Sequence, residues 1–462
     1  MKFLFIGKPK LPTKKSLKRG EKRAENITKS VLNYKRFNRF LRILGPGVVT
    51  GAADDDPSGI MTYSQAGAAY GFGLLWVFPI MYPMLLAVQE SCSRIGAITG
   101  KGLAAVIKER YSKRVLYFAI MLVVVANIVN IGADFGAIGA TVQLFWGIPF
   151  YAIAIAFAVL ILILEITIPY KNYAKILKWL TLTLLAYPAT AILVGQDWGN
   201  LLYSTVHPNI KLDFSILYII VGLLGTTISP YLFFWDTSEV VEDEIKHHRL
   251  AENAKKEPKI SKRFIRNVRI DNFVGMTFAS VGAWFIVVAC ASVLFTHGVT
   301  NIDSAADAAQ ALEPLVKNFP GSGVLAKVIF SMGVIGLGFL AIPVLAGSSS
   351  YAISEVFNWR EGLHYKFKKA IGFYMVIILS TLAGMAINFL GINPIKALVF
   401  AAVFNGLMAV PLLFIIIKIG NDSKIMGQYK SKLLSNVFTR LAFITMLIAA
   451  IVMFISLAKS FL

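Results

Sequence analysis

Uncharged apolar stretches recur along the whole chain. Leu116 to Ala126, Ile148 to Leu164 and Phe443 to Leu457 carry no Asp, Glu, Lys or Arg, and each lies in a window approaching the ~20 residues a bilayer core demands. Composition agrees: 56% of the 462 residues are hydrophobic and 15% charged, against about 45–50% and about 25% in soluble domains. A water-soluble globule is excluded, and a multi-spanning, all-helical membrane protein is expected.

Segmentation on hydropathy gives eleven spans, near 44–71, 74–95, 115–142, 148–166, 178–195, 214–240, 271–296, 323–354, 370–390, 395–417 and 437–458. The net charge of +21 raises the question of nucleic acid, and the placement of the basic residues answers it. With a cytoplasmic N-terminus, 41 of the 46 Lys and Arg fall on inside segments, 14 of them in residues 1–42. So strong a bias is what the positive-inside rule produces. Hence the N-terminus is expected in the cytoplasm, the C-terminus outside the cytoplasm and the plasma membrane as the location, with no nucleic-acid partner. Residues 1–42 have no apolar core ending in a cleavage site and read as a basic cytoplasmic tail. Cys92 and Cys290 lie in apolar segments without metal-type spacing and are expected as buried free thiols.

Two spans carry a proline and helix-breaking residues near their middle. The first holds Gly51-Ala52-Ala53-Asp54-Asp55-Asp56-Pro57-Ser58-Gly59, the sixth Gly222-Leu223-Leu224-Gly225-Thr226-Thr227-Ile228-Ser229-Pro230-Tyr231. If the sixth span repeats the first, the odd spacing inverts the second unit in the membrane. The organisation is then a tail (1–42), a first repeat (43–196), an inverted second repeat (197–417) and one added helix (418–462). Unwound backbone at membrane depth is tolerated where it lines a cavity, so matched breaks point to a transporter's central site.

Asp54, Asp55 and Asp56 stand together at the first break, where each charge costs about 2.5–3.5 kcal/mol on insertion scales. Pairing with a distant Lys or Arg is one reading and a cation site the other. The spans hold almost no basic residue at comparable depth, which favours the cation. Carboxylates and freed carbonyls form a hard, oxygen-rich site suited to magnesium, manganese or calcium.

Asp56-Pro57-Ser58-Gly59 resembles the Asp-Pro-Gly-Asn motif in the first helix of the Nramp divalent-metal transporters. Ser93-Arg94-Ile95-Gly96-Ala97-Ile98-Thr99-Gly100-Lys101-Gly102-Leu103-Ala104 is similar to that family's Arg-Leu-Gly-x-Val-Thr-Gly-Lys-x-Leu-Ala stretch. The resemblance implies the LeuT-like fold of five plus five inverted helices, with the metal held between the unwound parts of helices one and six. Carried over by position, the site is Asp56, Gly59, Thr226 through its carbonyl, and Ser229, with Asp54, Asp55 and Tyr231 as neighbours. The chain departs from the family where Gly59 replaces an Asn and Ser229-Pro230-Tyr231 replaces Met-Pro-His. Losing the thioether removes a preference for softer ions, and small residues leave room for the water that magnesium retains. The pattern looks like the Nramp-related magnesium transporters.

Asn127, Asn130 and Asp134 follow one helical face of the third span. They are either interhelical hydrogen-bonding groups or the lining of a watery path to the site; Asn405 in the tenth span is open to the same two readings. Ala137 stands where proton-coupled relatives carry a Glu, Tyr231 and Asp236 replace two histidines, and the ninth helix has no Arg. The expectation is import of hydrated magnesium or manganese by alternating access without proton coupling. The alternatives are a proton-coupled manganese or iron symporter and, ranked lower, an organic-solute transporter of the same fold. Neither His-x-x-Glu-His nor Gly-x-Ser-x-Gly occurs, so no enzyme, cofactor or obligate protein partner is expected; the partners are the divalent ion and the bilayer.

Overall fold

The computed structural model describes residues 46–168, 180–208, 213–246 and 262–460. The basic tail 1–42, the start of the fifth expected span and most of the basic loop after residue 246 lie outside them. Among the described residues every regular element is helical, as expected for a chain whose backbone must satisfy itself within lipid.

The first expected span is two helices, α1 (Pro46–Asp54) and α2 (Pro57–Tyr70), followed by α3 (Val77–Thr99) and the short α4 (Leu103–Arg110). Next come α5 (Lys113–Gln143), α6 (Phe150–Thr167) and α7 (Ala186–Leu193). The sixth expected span is again two helices, α8 (Phe214–Thr227) and α9 (Pro230–Lys246). The series closes with α10 (Lys262–Val293), α11 (Ser322–Phe357), α12 (Ile371–Ile387), α13 (Pro394–Asn421) and α14 (Leu433–Ser460).

Both interruptions have the same form. Two residues leave the helix, Asp55-Asp56 in one case and Ile228-Ser229 in the other, and a proline opens the following helix. Proline fits a first helical position because its missing N–H would have no partner there. Asp56 supplies the cap of α2, its side chain accepting from the Gly59 N–H. Gly100 ends α3 in the left-handed conformation at φ 62°, which explains the glycine of the Thr-Gly-Lys stretch as a helix stop.

Among the described residues, eight helices are long and apolar enough to cross a bilayer, or nine if the pair Pro57–Leu74 and Val77–Thr99, bent by 116°, counts as one span. The expected eleven is therefore met only in part. The break at Asp55-Asp56 shortens both halves of the first span, and the fifth is described only from Leu180, with Leu182–Leu193 as a shorter apolar helix.

The interrupted helices lie at the centre. α8 packs on α13 and α14, α9 on α3 and α11, and α1 and α2 both on α10. α6 and α14 instead present apolar side chains outward, among them Val159, Ile163, Ile448 and Ile451, the arrangement expected of lipid-facing helices. Cys92 and Cys290 are free and buried.

Candidate metal centre

The two breaks meet. A Cβ placed on Gly59 would stand 3.0 Å from the Thr226 Oγ1 and 3.3 Å from the Tyr63 ring, so α2 and the end of α8 touch at a position where only glycine leaves the hydroxyl undisturbed. One turn further along α2 from Gly59, the Tyr63 hydroxyl is 2.9 Å from the Thr227 Oγ1. A second tie runs the other way: the Tyr231 hydroxyl on α9 donates to the Ala53 carbonyl in the last turn of α1 at 2.9 Å. Tyr231 is held in turn by the Ser348 hydroxyl of α11, which donates to its carbonyl at 2.9 Å.

Within this frame the carboxylates differ. Asp56 Oδ1 accepts from the Gly59 N–H at 2.7 Å and the Ser58 hydroxyl at 2.6 Å, so backbone and side chain both fix its direction. Asp55 is fully buried with neither oxygen hydrogen bonded, and Asp54 Oδ1 is likewise buried and unbonded. Asp55 points toward α10, where a Cβ on Gly282 would lie 3.4 Å from its Oδ2. Asp134 of α5 is fully buried with both oxygens unbonded, close enough to Asp56 for their charges to act on each other. Four acidic side chains thus surround the breaks.

Ser229 and Thr226 sit differently from what a carbonyl ligand set suggests. The Ser229 hydroxyl donates to the Thr226 carbonyl at 2.7 Å and the Gly225 carbonyl at 2.8 Å, stopping the last turn of α8 much as a water would. The Thr226 hydroxyl, by contrast, is buried with no hydrogen bond and faces Gly59. The oxygen of Thr226 that faces Gly59 is that hydroxyl, while its carbonyl accepts from Ser229. Among the described residues no three His, Cys, Asp or Glu side chains converge as a metal site. An ion here would take Asp56, hydroxyl and carbonyl oxygens, and water.

The stripe on α5 divides. Asn130 and Asn405 exchange hydrogen bonds, Nδ2 to Oδ1 at 2.7 Å one way and 3.1 Å the other, a closed pair joining α5 to α13. Asn127 donates to the Leu345 carbonyl at 3.0 Å and the Ser349 hydroxyl at 2.9 Å on α11. Both asparagines join helices. Tyr63 and Thr227 were not legible as site residues, although Tyr63 lies four residues after Gly59 and so on the same face of α2.

A family model described as natural resistance-associated macrophage protein-like matches residues 47–456. The chain belongs to the Nramp family. Curated Nramp relatives include the divalent metal cation transporter MntH of Verminephrobacter eiseniae, 26% identical over 87% of this chain and 86% of that protein. The protein of the same name from Caldanaerobacter subterraneus is 26% identical over 82% of this chain and 85% of its own. Among solved structures, the Eremococcus coleocola manganese transporter matches with TM-score 0.70 at 16% identity, covering 92% of this chain and 88% of that one. MHP1, a nucleobase-cation-symport-1 family transporter, matches with TM-score 0.55 at 12% identity over 90% of this chain and 92% of its own. These likenesses show the LeuT-like fold, and this Nramp chain is a membrane protein of a transporter family, not an enzyme.

Proposed function

We propose that this chain carries divalent metal cations across the plasma membrane by alternating access, taking them up still partly hydrated at the two helix breaks. Manganese and magnesium are the ions that fit best, the first because curated and solved relatives are named for divalent metals and manganese. The observation that carries the reading is the meeting of Asp56, Gly59 and Thr226. A fixed carboxylate and an unbonded hydroxyl face a position where a side chain would have to displace the hydroxyl. An all-oxygen set with room beside it suits hard ions that keep water. In this reading Asp56, Gly59, Thr226 and Ser229 line the ion, with Asp54, Asp55, Tyr231 and Asp134 around it.

The accompanying topology is eleven spans in two inverted five-helix repeats, 43–196 and 197–417, with a tail at 1–42 and a last helix in 418–462, N-terminus in the cytoplasm. Ala137 stands where coupled relatives carry a second carboxylate, and Tyr231 and Asp236 stand where they carry imidazoles; in this reading transport proceeds without proton coupling. Voltage suffices, since a dication entering an inside-negative compartment gains about 4.6 kcal/mol per 100 mV, twice the ~2.3 of a single charge. Proton-coupled symport is the second reading, and it rests on the buried, unbonded Asp134 carboxyl beside Asp56.

The test is uptake into proteoliposomes at a set potential, with magnesium, manganese and calcium compared and internal pH followed. Asp56→Asn is expected to abolish uptake in a protein that still elutes as a single folded species. Uptake near the wild-type rate in that variant would remove Asp56 from the ion's path and end the reading.

A further inference from the structure

A short helix, Trp198–Val206, lies between α7 and α8 and outside the apolar helices long enough to cross a bilayer. Asp197 starts it, its Oδ1 accepting from the N–H groups of Gly199 and Asn200 at 3.0 and 3.2 Å. Successive residues point about 100° apart on a helix, and here they sort into three sectors. The first faces the protein: Leu201 is fully buried, and the Thr205 Oγ1 accepts from the Trp284 Nε1 of α10 at 3.3 Å. Asn200, Ser204 and His207 form a second, polar sector. Trp198, Leu202, Tyr203 and Val206 form the third, and these four side chains are 41–63% exposed.

A contiguous stripe of four large apolar side chains, rimmed by polar ones, marks a surface that another phase covers. Its depth in the fold identifies that phase. Trp284 stands fifteen residues beyond Arg269, the last basic residue of α10, which is roughly 22 Å along the helix axis. With Arg269 at one face of a hydrocarbon core about 30 Å thick, the Thr205 contact falls in the far third of the bilayer. One turn nearer Arg269, on the face of α10 that carries Trp284, Val281 is apolar and exposed, and Phe278 is exposed beside it. Ile192 and Leu193 at the end of α7 are exposed as well. The stripe thus continues a surface that already faces lipid.

We infer that Trp198–Val206 is an interfacial helix, lying in the leaflet opposite the basic ends of α9 and α10, with Trp198, Leu202, Tyr203 and Val206 set among the acyl chains. Its polar sector then meets the headgroups and water. Trp and Tyr suit this depth, since each has an apolar ring and one polar group. Residues 180–208 contain no Lys or Arg, and their one acid, Asp197, caps the helix. Apolar burial alone drives the seating, so the partner is the bilayer whatever the charge of its headgroups.

The same helix packs on the turn Gly71–Leu74, which joins α2 to α3, and on α3 itself. Gly71 is in a left-handed conformation at φ 57°, and a Cβ there would lie 3.1 Å from the Phe295 ring of the segment after α10. Lipid contact at Leu202 and Val206 therefore holds the far end of α2, whose near end Asp56 caps, at a fixed depth.

The experiment uses the full chain in phosphatidylcholine vesicles, with a nitroxide spin label on Leu202→Cys, Val206→Cys or Asn200→Cys; Cys92 and Cys290 are buried, and wild type treated with the label is the control. Collisions are read by power saturation with oxygen, which enters lipid, and with a neutral nickel complex, which stays in water. Labels at 202 and 206 should meet oxygen more than nickel, with nickel collisions several-fold below those at 200. Adding phosphatidylglycerol should change neither result. Nickel collisions at 202 and 206 equal to those at 200 would put the stripe in water and overturn the inference. Exclusion of both reagents there would overturn it too, by showing a protein partner or a second copy over the stripe, and so would seating that needs phosphatidylglycerol. Tyr203→Cys carries the same expectation should Leu202→Cys fail to fold.

Discussion

The Tyr231 hydroxyl donates to the Ala53 carbonyl at 2.9 Å, tying the second half of one interrupted helix to the last turn of the other's first half. Ala53 lies in a final helical turn, where carbonyls lack intrahelical partners, so this hydroxyl satisfies a group that would otherwise be bare at membrane depth. Because Ser348 holds the Tyr231 carbonyl, α1, α9 and α11 are linked through one residue.

Tyr231→Phe keeps the ring and removes only that link. Leaving a buried carbonyl unbonded costs about 1–3 kcal/mol, so a lower thermal midpoint is expected together with a several-fold change in apparent ion affinity, since α1 bears the aspartates. A melting curve and a manganese titration check this. Wild-type values in both would show that the bond is incidental to the site.

Gly59→Ala tests the contact between the breaks. The added methyl lies 3.0 Å from the Thr226 hydroxyl, closer than carbon and oxygen normally pack, so the hydroxyl must turn, and in the proposed site it turns away from the ion. KM for magnesium should rise several-fold with a smaller effect on the maximal rate. An unchanged KM would mean that the ion does not lie between Gly59 and Thr226.

The breaks were legible because proline inside an apolar span has few structural explanations: Pro57 and Pro230 each open a helix. Asp56 was legible for the same reason, standing where a cap is needed. Which oxygen of Thr226 faces Gly59 was not, because that depends on the Ser229 hydroxyl folding back onto the Gly225 and Thr226 carbonyls, a matter of one side-chain rotamer. The count of eleven took 44–71 and 74–95 as two spans and 178–195 as a third, whereas among the described residues helix length and apolarity support only one bent pair in place of the first two and a shorter helix at Leu182–Leu193.

Ser229→Met should alter selectivity. It removes the hydroxyl that engages the Gly225 and Thr226 carbonyls and introduces a polarizable sulfur that favours softer ions. Competition of cadmium against magnesium uptake should shift toward cadmium by about tenfold or more, the affinity cost that altered metal-site contacts commonly carry. If the ratio stays put, Ser229 faces away from the ion.

The Asn130 and Asn405 amides form a closed reciprocal pair, so neither has its best partner without the other. A double-mutant cycle with Asn130→Ala and Asn405→Ala should give a coupling of about 0.6–1.7 kcal/mol in stability, the range for hydrogen bonds between helices in lipid. Additive losses would mean that the two side chains act independently and that a watery path is the better account of the stripe.

Asp134 decides between the two transport readings. Its carboxyl is buried, unbonded and within electrostatic reach of Asp56, the placement a proton acceptor would have. Yet Ala137, one turn further along α5, offers no second acceptor to pass a proton onward. Uncoupled transport therefore predicts that manganese influx under a potassium-set potential leaves a trapped pH dye flat in the wild type and in Asp134→Asn alike. In this reading Asp134 acts on the ion only through its charge, so the substitution weakens affinity and leaves the voltage dependence of the flux in place. Acidification that accompanies influx at clamped potential, and vanishes in Asp134→Asn, would instead make Asp134 the proton carrier and place the chain among coupled symporters.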